Sequence, residues 1–314
     1  MRSHRWLTVL VVLSGLSLDA HADADALNDH LGPREIATGE ASRSEARGAL
    51  AVSLNPAGLA LTRELVFEGG YGYRPGDAAS SVAVSACDST VPMPGCFYYR
   101  YLSASPDLDD MSVGRRTHEA GVSLARALSP RISLGITNRY FDYNSDLAGE
   151  EDASGWGTDA GLLVRATDFV NVGVVGYNLL SADSTQYPRA IGAGISARPA
   201  GQLMLAFDSL WNLEAPEGQS TGRYGGGAEY FFQSADMQNG FPLRVGGVYD
   251  AGQESGYLTG GLGYMHAKFA FDLGVRKQLS GEQMDGTSEL IVVASIRLFG
   301  PRLADDAPQQ PLGF

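Results

Sequence analysis

Past residue 60 the chain divides into fourteen segments of about ten residues, in which apolar residues alternate with small or polar ones and turn-forming residues separate the segments. Arg131-Ile132-Ser133-Leu134-Gly135-Ile136-Thr137 shows the pattern plainly. Strand side chains alternate with period 2, so Ile132, Leu134 and Ile136 face one way and Arg131, Ser133 and Thr137 the other. Repeated over so many short segments, this predicts an all-β fold, a transmembrane antiparallel β-barrel with lipid against the apolar side and a wet lumen against the polar side. The strands expected are 64–74, 79–87, 96–103, 116–127, 131–143, 156–166, 169–179, 188–198, 201–213, 222–233, 240–250, 256–265, 268–278 and 288–299.

The connectors strengthen this reading. From the fourth strand onward, tight turns at Leu128-Ser129-Pro130, Thr167-Asp168, Pro199-Ala200 and Ala267 alternate with longer stretches rich in Asp, Glu, Gly and Ser. Bacterial barrels have short periplasmic turns and longer external loops, so both chain ends and the loop between the two cysteines are expected in the periplasm. Aromatic residues gather near strand ends, as interfacial girdles do. Tyr71, Tyr73, Tyr140, Tyr143, Trp156, Tyr177, Tyr187, Trp211 and Tyr249 are expected at the external rim, and Phe169, Phe232, Phe241, Tyr264, Phe269 and Phe299 at the periplasmic one. A soluble sandwich would bury many of these near strand centres instead.

The N-terminus departs from the pattern. Arg2, His4 and Arg5 precede an apolar run from Trp6 to Leu18 and the small-x-small site Ala20-His21-Ala22, which reads as a signal peptide over residues 1–22. The run is well short of the ~20 residues a spanning helix needs. Residues 23–62 carry Arg34, Glu35, Glu40, Arg43, Glu45 and Arg47 among Ala and Ser with little alternation, and are expected to form a plug inside the barrel of residues 63–299, with 300–314 as a periplasmic tail.

Composition narrows the chemistry. The net charge of −13 argues against nucleic acid, because an acidic surface repels phosphate. The 40 glycines approach twice the usual ~7%; in a barrel wall they permit close packing of plug or neighbouring backbone and keep a lumen open. Cys87 and Cys96, the only cysteines, close one short loop and are expected to form a disulfide; with no third Cys or neighbouring His they make a poor metal site. Strand parity assigns Glu68, Arg100, Glu119, Arg139, Asp208, Glu229, Arg244, Asp272, Arg276 and Arg297 to the lumen, either as a selectivity lining or as ion pairs holding interior and plug together.

Enzymatic readings find little support. His118 and Ser123 fall on opposite faces of one strand, and Gly121-Val122-Ser123-Leu124 is followed by Ala125 rather than the glycine of a nucleophile elbow. Gly225-Gly226-Gly227 lacks the helix and lysine of a phosphate loop. The acidic stretch Asp146–Asp152 does not have the spacing of a calcium loop. No enzyme, cofactor or metal is expected.

One stretch, Arg47-Gly48-Ala49-Leu50-Ala51-Val52-Ser53-Leu54-Asn55-Pro56-Ala57-Gly58-Leu59-Ala60, resembles the plug-region motif, ending in Asn-Pro-Ala, of the FadL long-chain fatty-acid transporter superfamily and the related PorV-like group. Asn55 suits a helix cap, Pro56 the first helical position and Gly58 a tight exit. The resemblance implies fourteen strands around an N-terminal hatch in the bacterial outer membrane, with Asn55, Pro56, Ala57 and Gly58 in the hatch. It further implies a channel or transporter for small hydrophobic or amphipathic molecules, surrounded by outer-membrane lipid and lipopolysaccharide. The alternative is a non-transporting barrel, a scaffold or partner of a secretion or surface-assembly machine. The short acidic loops depart from the apolar capture groove of the fatty-acid transporters.

Overall fold

The computed structural model describes residues 31–105, 107–108, 111–112, 114–146, 152–180, 187–214, 222–234, 239–281 and 288–300. The expected signal peptide, the start of the plug segment, most of the acidic loop and nearly all of the tail lie outside these residues. Fourteen strands form a closed antiparallel barrel: β1 Leu65–Arg74, β2 Ala79–Asp88, β3 Gly95–Ala104, β4 Arg115–Ser129, β5 Ile132–Ser145, β6 Ala153–Arg165, β7 Val170–Tyr177, β8 Ala190–Ala200, β9 Leu203–Asn212, β10 Gly222–Gln233, β11 Asn239–Asp250, β12 Ser255–His266, β13 Phe269–Ser280 and β14 Leu290–Phe299. All lie within three residues of the expected limits. Closure comes from β1 pairing with β14, in register from Val66↔Phe299 to Tyr73↔Val292, which leaves no barrel edge unpaired.

The alternation that marked the strands sorts their two faces. Leu134 is 44% exposed on the outer surface, beside Ile132 and Ile136, whereas Thr137 is fully buried. Phe67, Val84, Phe97, Leu205, Val245 and Leu262 continue the exposed apolar belt around the outside. Such a belt is the expected exterior of a barrel in lipid.

Two expectations change on the inner side. Ser133 and Thr137 do not border a wet lumen: Ser133 donates to the Ala57 carbonyl (2.9 Å) and Thr137 pairs with Ser123 across β4 and β5 (2.8 Å), because residues 31–61 fill much of the interior. Three of the girdle tyrosines also turn inward. Tyr143 shares the phase of Thr137 and Arg139 and is buried; Tyr177 donates to the Leu54 carbonyl at 2.6 Å; Tyr187 stacks on Phe141 with ring centroids 4.0 Å apart. Nearness to a strand end does not decide which face an aromatic takes; the two-residue phase does. Tyr71, Tyr73, Tyr140, Trp156 and Tyr249, and at the opposite rim Phe169, Phe232, Phe241 and Phe269, remain exposed.

Candidate functional site in the barrel interior

The inner segment is built from short pieces. Helix α1, Pro33–Ala37, opens with proline at its first position and ends at Thr38. Gly39 (φ 66°) and Glu40 (φ 61°) then reverse the chain. Helix α2, Ala49–Leu54, is followed by a 3₁₀ turn over Pro56–Leu61, capped by Asn55, whose Oδ1 accepts from the Ala57 N–H at 3.1 Å. The Asn55 amide donates to the carbonyls of Arg43 (3.0 Å) and Leu162 (3.2 Å), so one side chain ties two parts of the segment to β6. Pro56 and Ala57 lie directly over Gly135, and Gly58 sits against the Ala46 carbonyl with no room for a side chain.

Wall glycines carry the rest of the segment. A methyl group on Gly225 would overlap the Gly39 carbonyl, one on Gly227 the Thr38 carbonyl, and one on Gly274 the Pro33 carbonyl. The segment's backbone therefore lies directly on the inner surface of β10–β13. Here the glycines do not keep a space open; they admit a second layer of chain.

Charged groups hold that layer in place. Glu40 accepts from Arg223 Nε and Nη2, both at 2.7 Å, and from Arg276 Nη1 at 2.6 Å. Burial raises its pKa, but the two guanidinium groups outweigh burial and bring it down to about 2. Arg43 donates its backbone N–H (2.8 Å) and Nη1 (3.2 Å) to Asp208, and its Nε to Tyr177 (2.9 Å). Glu45 accepts from Asn171 (2.7 Å), Ser196 (2.9 Å) and Arg198 (2.9 Å). Its pKa, raised by burial, is brought down to about 2 chiefly by Arg47 and Arg198.

Of the ten charged residues assigned to the lumen, nine stand in two interior chains of ion pairs or pair with the inner segment. Glu229, Arg244, Asp272 and Arg297 run across β10, β11, β13 and β14 with contacts of 2.6 Å. Arg100, Glu119 and Arg139 run across β3–β5, with Arg100 to Glu119 at 3.5 Å and Arg139 to Glu119 at 3.9 Å. Asp208 and Arg276 meet Arg43 and Glu40 as above, and Glu68 borders the pocket described next. Sequence reasoning missed Asp159, which pairs closely with Arg139, and Arg198, Arg223, Asp250 and Glu289. Asp159 was legible: counting inward from outward-facing Trp156 and Leu162 sets its phase, but the glycines at 157 and 161 beside it obscure the alternation.

On the side of β1–β3 the segment leaves a pocket beside the wall, part of it open to solvent. Small wall residues make the room: Gly70, Gly72, Ser81, Ala83 and Ser85. Leu31, Leu50 and Val293 add apolar surface. Glu68, Ser85 and Tyr98 sit on one rung across β1, β2 and β3, and Arg100 lies over the Tyr98 ring at 4.9 Å. From the segment side Glu35 enters, its carboxyl pushed by burial up to about 7. Beneath the pocket Cys87 and Cys96, directly opposed on β2 and β3, are joined by a disulfide.

His118 projects from the outer face beside Tyr99 (Nδ1 to OH 2.8 Å), whereas Ser123 is buried inside, so the wall separates them. Among the described residues no group of three or more His, Cys, Asp or Glu side chains is arranged to hold a metal ion.

No protein-family model matches this sequence, and no curated protein does. Solved structures do. A monoaromatic hydrocarbon channel, CymD, superposes with a TM-score of 0.67 at 14% identity, covering 86% of this chain and 97% of that one. The Pseudomonas putida toluene transporter TodX gives 0.64 and the Ralstonia pickettii toluene transporter TbuX 0.61, both at 14% identity and the same coverage. A Pseudomonas aeruginosa FadL homologue gives 0.58 at 10% identity, covering 85% and 97%. At these identities the likeness is one of fold: the chain has the FadL-type fourteen-stranded barrel.

Proposed function

We propose that this chain is an outer-membrane channel for small hydrophobic or amphipathic molecules, with residues 31–61 as its hatch and the pocket beside β1–β3 as the station where a ligand rests. The observation that carries the reading is the uneven seating of the inner segment. Against β10–β13 it is sealed backbone to backbone; against β1–β3 small residues of β1 and β2 leave a partly apolar pocket open. A segment serving only to fill the barrel would have no use for that asymmetry. The names of the fold neighbours, toluene transporters and a hydrocarbon channel, support the ligand class. The apolar outer belt and the leader read over residues 1–22 fit a place in the outer membrane, among its lipid and lipopolysaccharide.

The test compares toluene entry into cells that produce the protein with entry into cells that lack it, and repeats the comparison with Gly72→Leu, which fills the pocket. Faster entry with the protein, lost on filling the pocket, is the expected result. Equal entry in all three strains would overturn the reading in favour of a non-transporting barrel.

A further inference from the structure

Most of the interior acids share a habit that Glu35 breaks. Glu40, Glu45, Glu119, Asp208, Glu229 and Asp272 each meet a guanidinium group. The Oε2 of Glu35 is buried with no hydrogen-bond partner. The two arginines nearest to it are engaged elsewhere: Arg34 reaches Glu229 (3.4 Å), and Arg100 meets Glu119 (3.5 Å) and Ser53. One further polar atom on the pocket wall, Ser85 Oγ, is also buried without a partner. A buried donor or acceptor left unmade costs free energy, and native structures rarely tolerate several in one place without something to satisfy them.

The rest of the pocket surface is mixed: Glu68, Arg100 and Ser295 are charged or polar, and Gly72, Leu50 and Val293 are small or apolar. The lining thus combines an apolar region with polar and charged groups, among which Glu35 Oε2 and Ser85 Oγ are left without a partner. A bare hydrocarbon entering it would leave both of these groups unsatisfied. A molecule whose apolar body ends in a hydroxyl would donate to Glu35 and accept from Ser85. Sites built to bond a hydroxyl reject the analogue that lacks it far more strongly than apolar pockets reject a change of size.

We infer that the pocket selects an alcohol or phenol, an apolar body with a hydrogen-bond-donating hydroxyl, over the corresponding hydrocarbon, and that Glu35 is the residue that sets this preference. The inference rests on the reading of the pocket as the ligand's station.

The probes are 4-methylphenol and toluene, which differ by one hydroxyl, titrated by calorimetry into the full mature protein in lipid nanodiscs. Wild type is expected to bind 4-methylphenol about tenfold more tightly or better. Glu35→Leu is expected to erase that preference while keeping toluene binding, and Glu35→Gln, which retains an acceptor, to keep part of it. Ser85→Ala, on the wall rather than the segment, gives an independent arm if Glu35→Leu fails to fold, and is expected to narrow the preference. Binding of both probes with no preference in wild type, or a preference untouched by both Glu35→Leu and Ser85→Ala, would overturn the inference and leave the channel reading standing. Binding of neither probe by wild type would overturn the pocket as ligand station, and the inference with it.

Discussion

Gly225 of β10 faces the carbonyl oxygen of Gly39 so closely that a methyl group cannot be placed between them. The contact is backbone on backbone, and the neighbours Gly227 and Gly246 repeat it against Thr38 and Gly39. The inner segment is thus seated on a track from which side chains have been removed.

A valine at Gly225 is therefore expected to lift the segment rather than distort the barrel, because the strand tolerates β-branched residues well while the rigid carbonyl opposite cannot yield. Overpacking of this kind costs about 1–3 kcal/mol. Limited proteolysis should cut within residues 31–61 in Gly225→Val and not in wild type. Planar-bilayer recordings should show larger conductance. An uncut variant with wild-type conductance would show that the track does not hold the segment.

Seating should also depend on pH, with opposite signs on the two flanks. Glu35, raised from 4.5 to about 7, favours the seated state fully below pH 4.5 and loses that contribution as pH rises through about 7. Glu40 and Glu45, lowered from 4.5 to about 2, favour it above pH 4.5 and lose their contribution as pH falls through about 2. The segment is held most firmly near pH 4.5, and the Glu35 contribution lost by pH 8 is about 3 kcal/mol. Hydrogen exchange over residues 31–61 should quicken from pH 5 to pH 8, after correction for intrinsic rates, in wild type and not in Glu35→Gln. Identical corrected profiles would refute the assignment.

Truncating Glu40 to alanine leaves Arg223 and Arg276 without their shared carboxylate. Removing one member of a buried pair costs about 3–5 kcal/mol, eased here because Arg223 also bonds Asp250 (2.7 Å) and Arg276 bonds Glu289 (2.9 Å). Alanine at position 40 still places a non-glycine residue in the left-handed region, so the backbone strain there is unchanged. A fall in the temperature at which the segment becomes protease-sensitive, with the heat-modifiable mobility of the barrel unchanged, is the expected outcome. A segment as resistant as wild type would place the anchor elsewhere.

Leu134→Arg puts a charge on the apolar belt at mid-strand and is expected to cost about 2–4 kcal/mol in reversible folding into lipid vesicles. Thr137, on the other face, is not a permissive control, since it is fully buried against Ser123. Arg131, exposed at the turn, serves instead: Arg131→Leu should change stability by less than about 0.5 kcal/mol. Equal effects at the two positions would mean that the outer face of β5 does not meet lipid.

The strands were legible because a wall with lipid on one side writes its phase into every other residue, and runs such as Ile132-Ser133-Leu134 leave little choice. Interior detail was less so. Whether Tyr177 meets lipid or Leu54 depends on a one-residue phase that Gly173 and Gly176 leave unmarked. The pairings of Glu40 with Arg223 and Arg276 join residues far apart in sequence, which no local pattern encodes. Asn55-Pro56-Ala57-Gly58 was visible as a capped turn, but its floor of Gly135 and Gly161 belongs to strands whose glycines look alike in sequence. The pocket was invisible, because it is defined by where small residues of β1 and β2 coincide with a gap beside the inner segment.

The hydrogen bond from Arg276 to Glu40 spans 236 residues, and the glycine track it secures exists only once β10–β13 are in register. The part of the chain made first therefore has nowhere to settle until the part made nearly last has paired. Contacts of such long range form late. The inner segment must then wait inside the closing ring of strands, since once β1 has joined β14 a segment left outside would have to thread back through a barrel mouth already narrowed by its own wall.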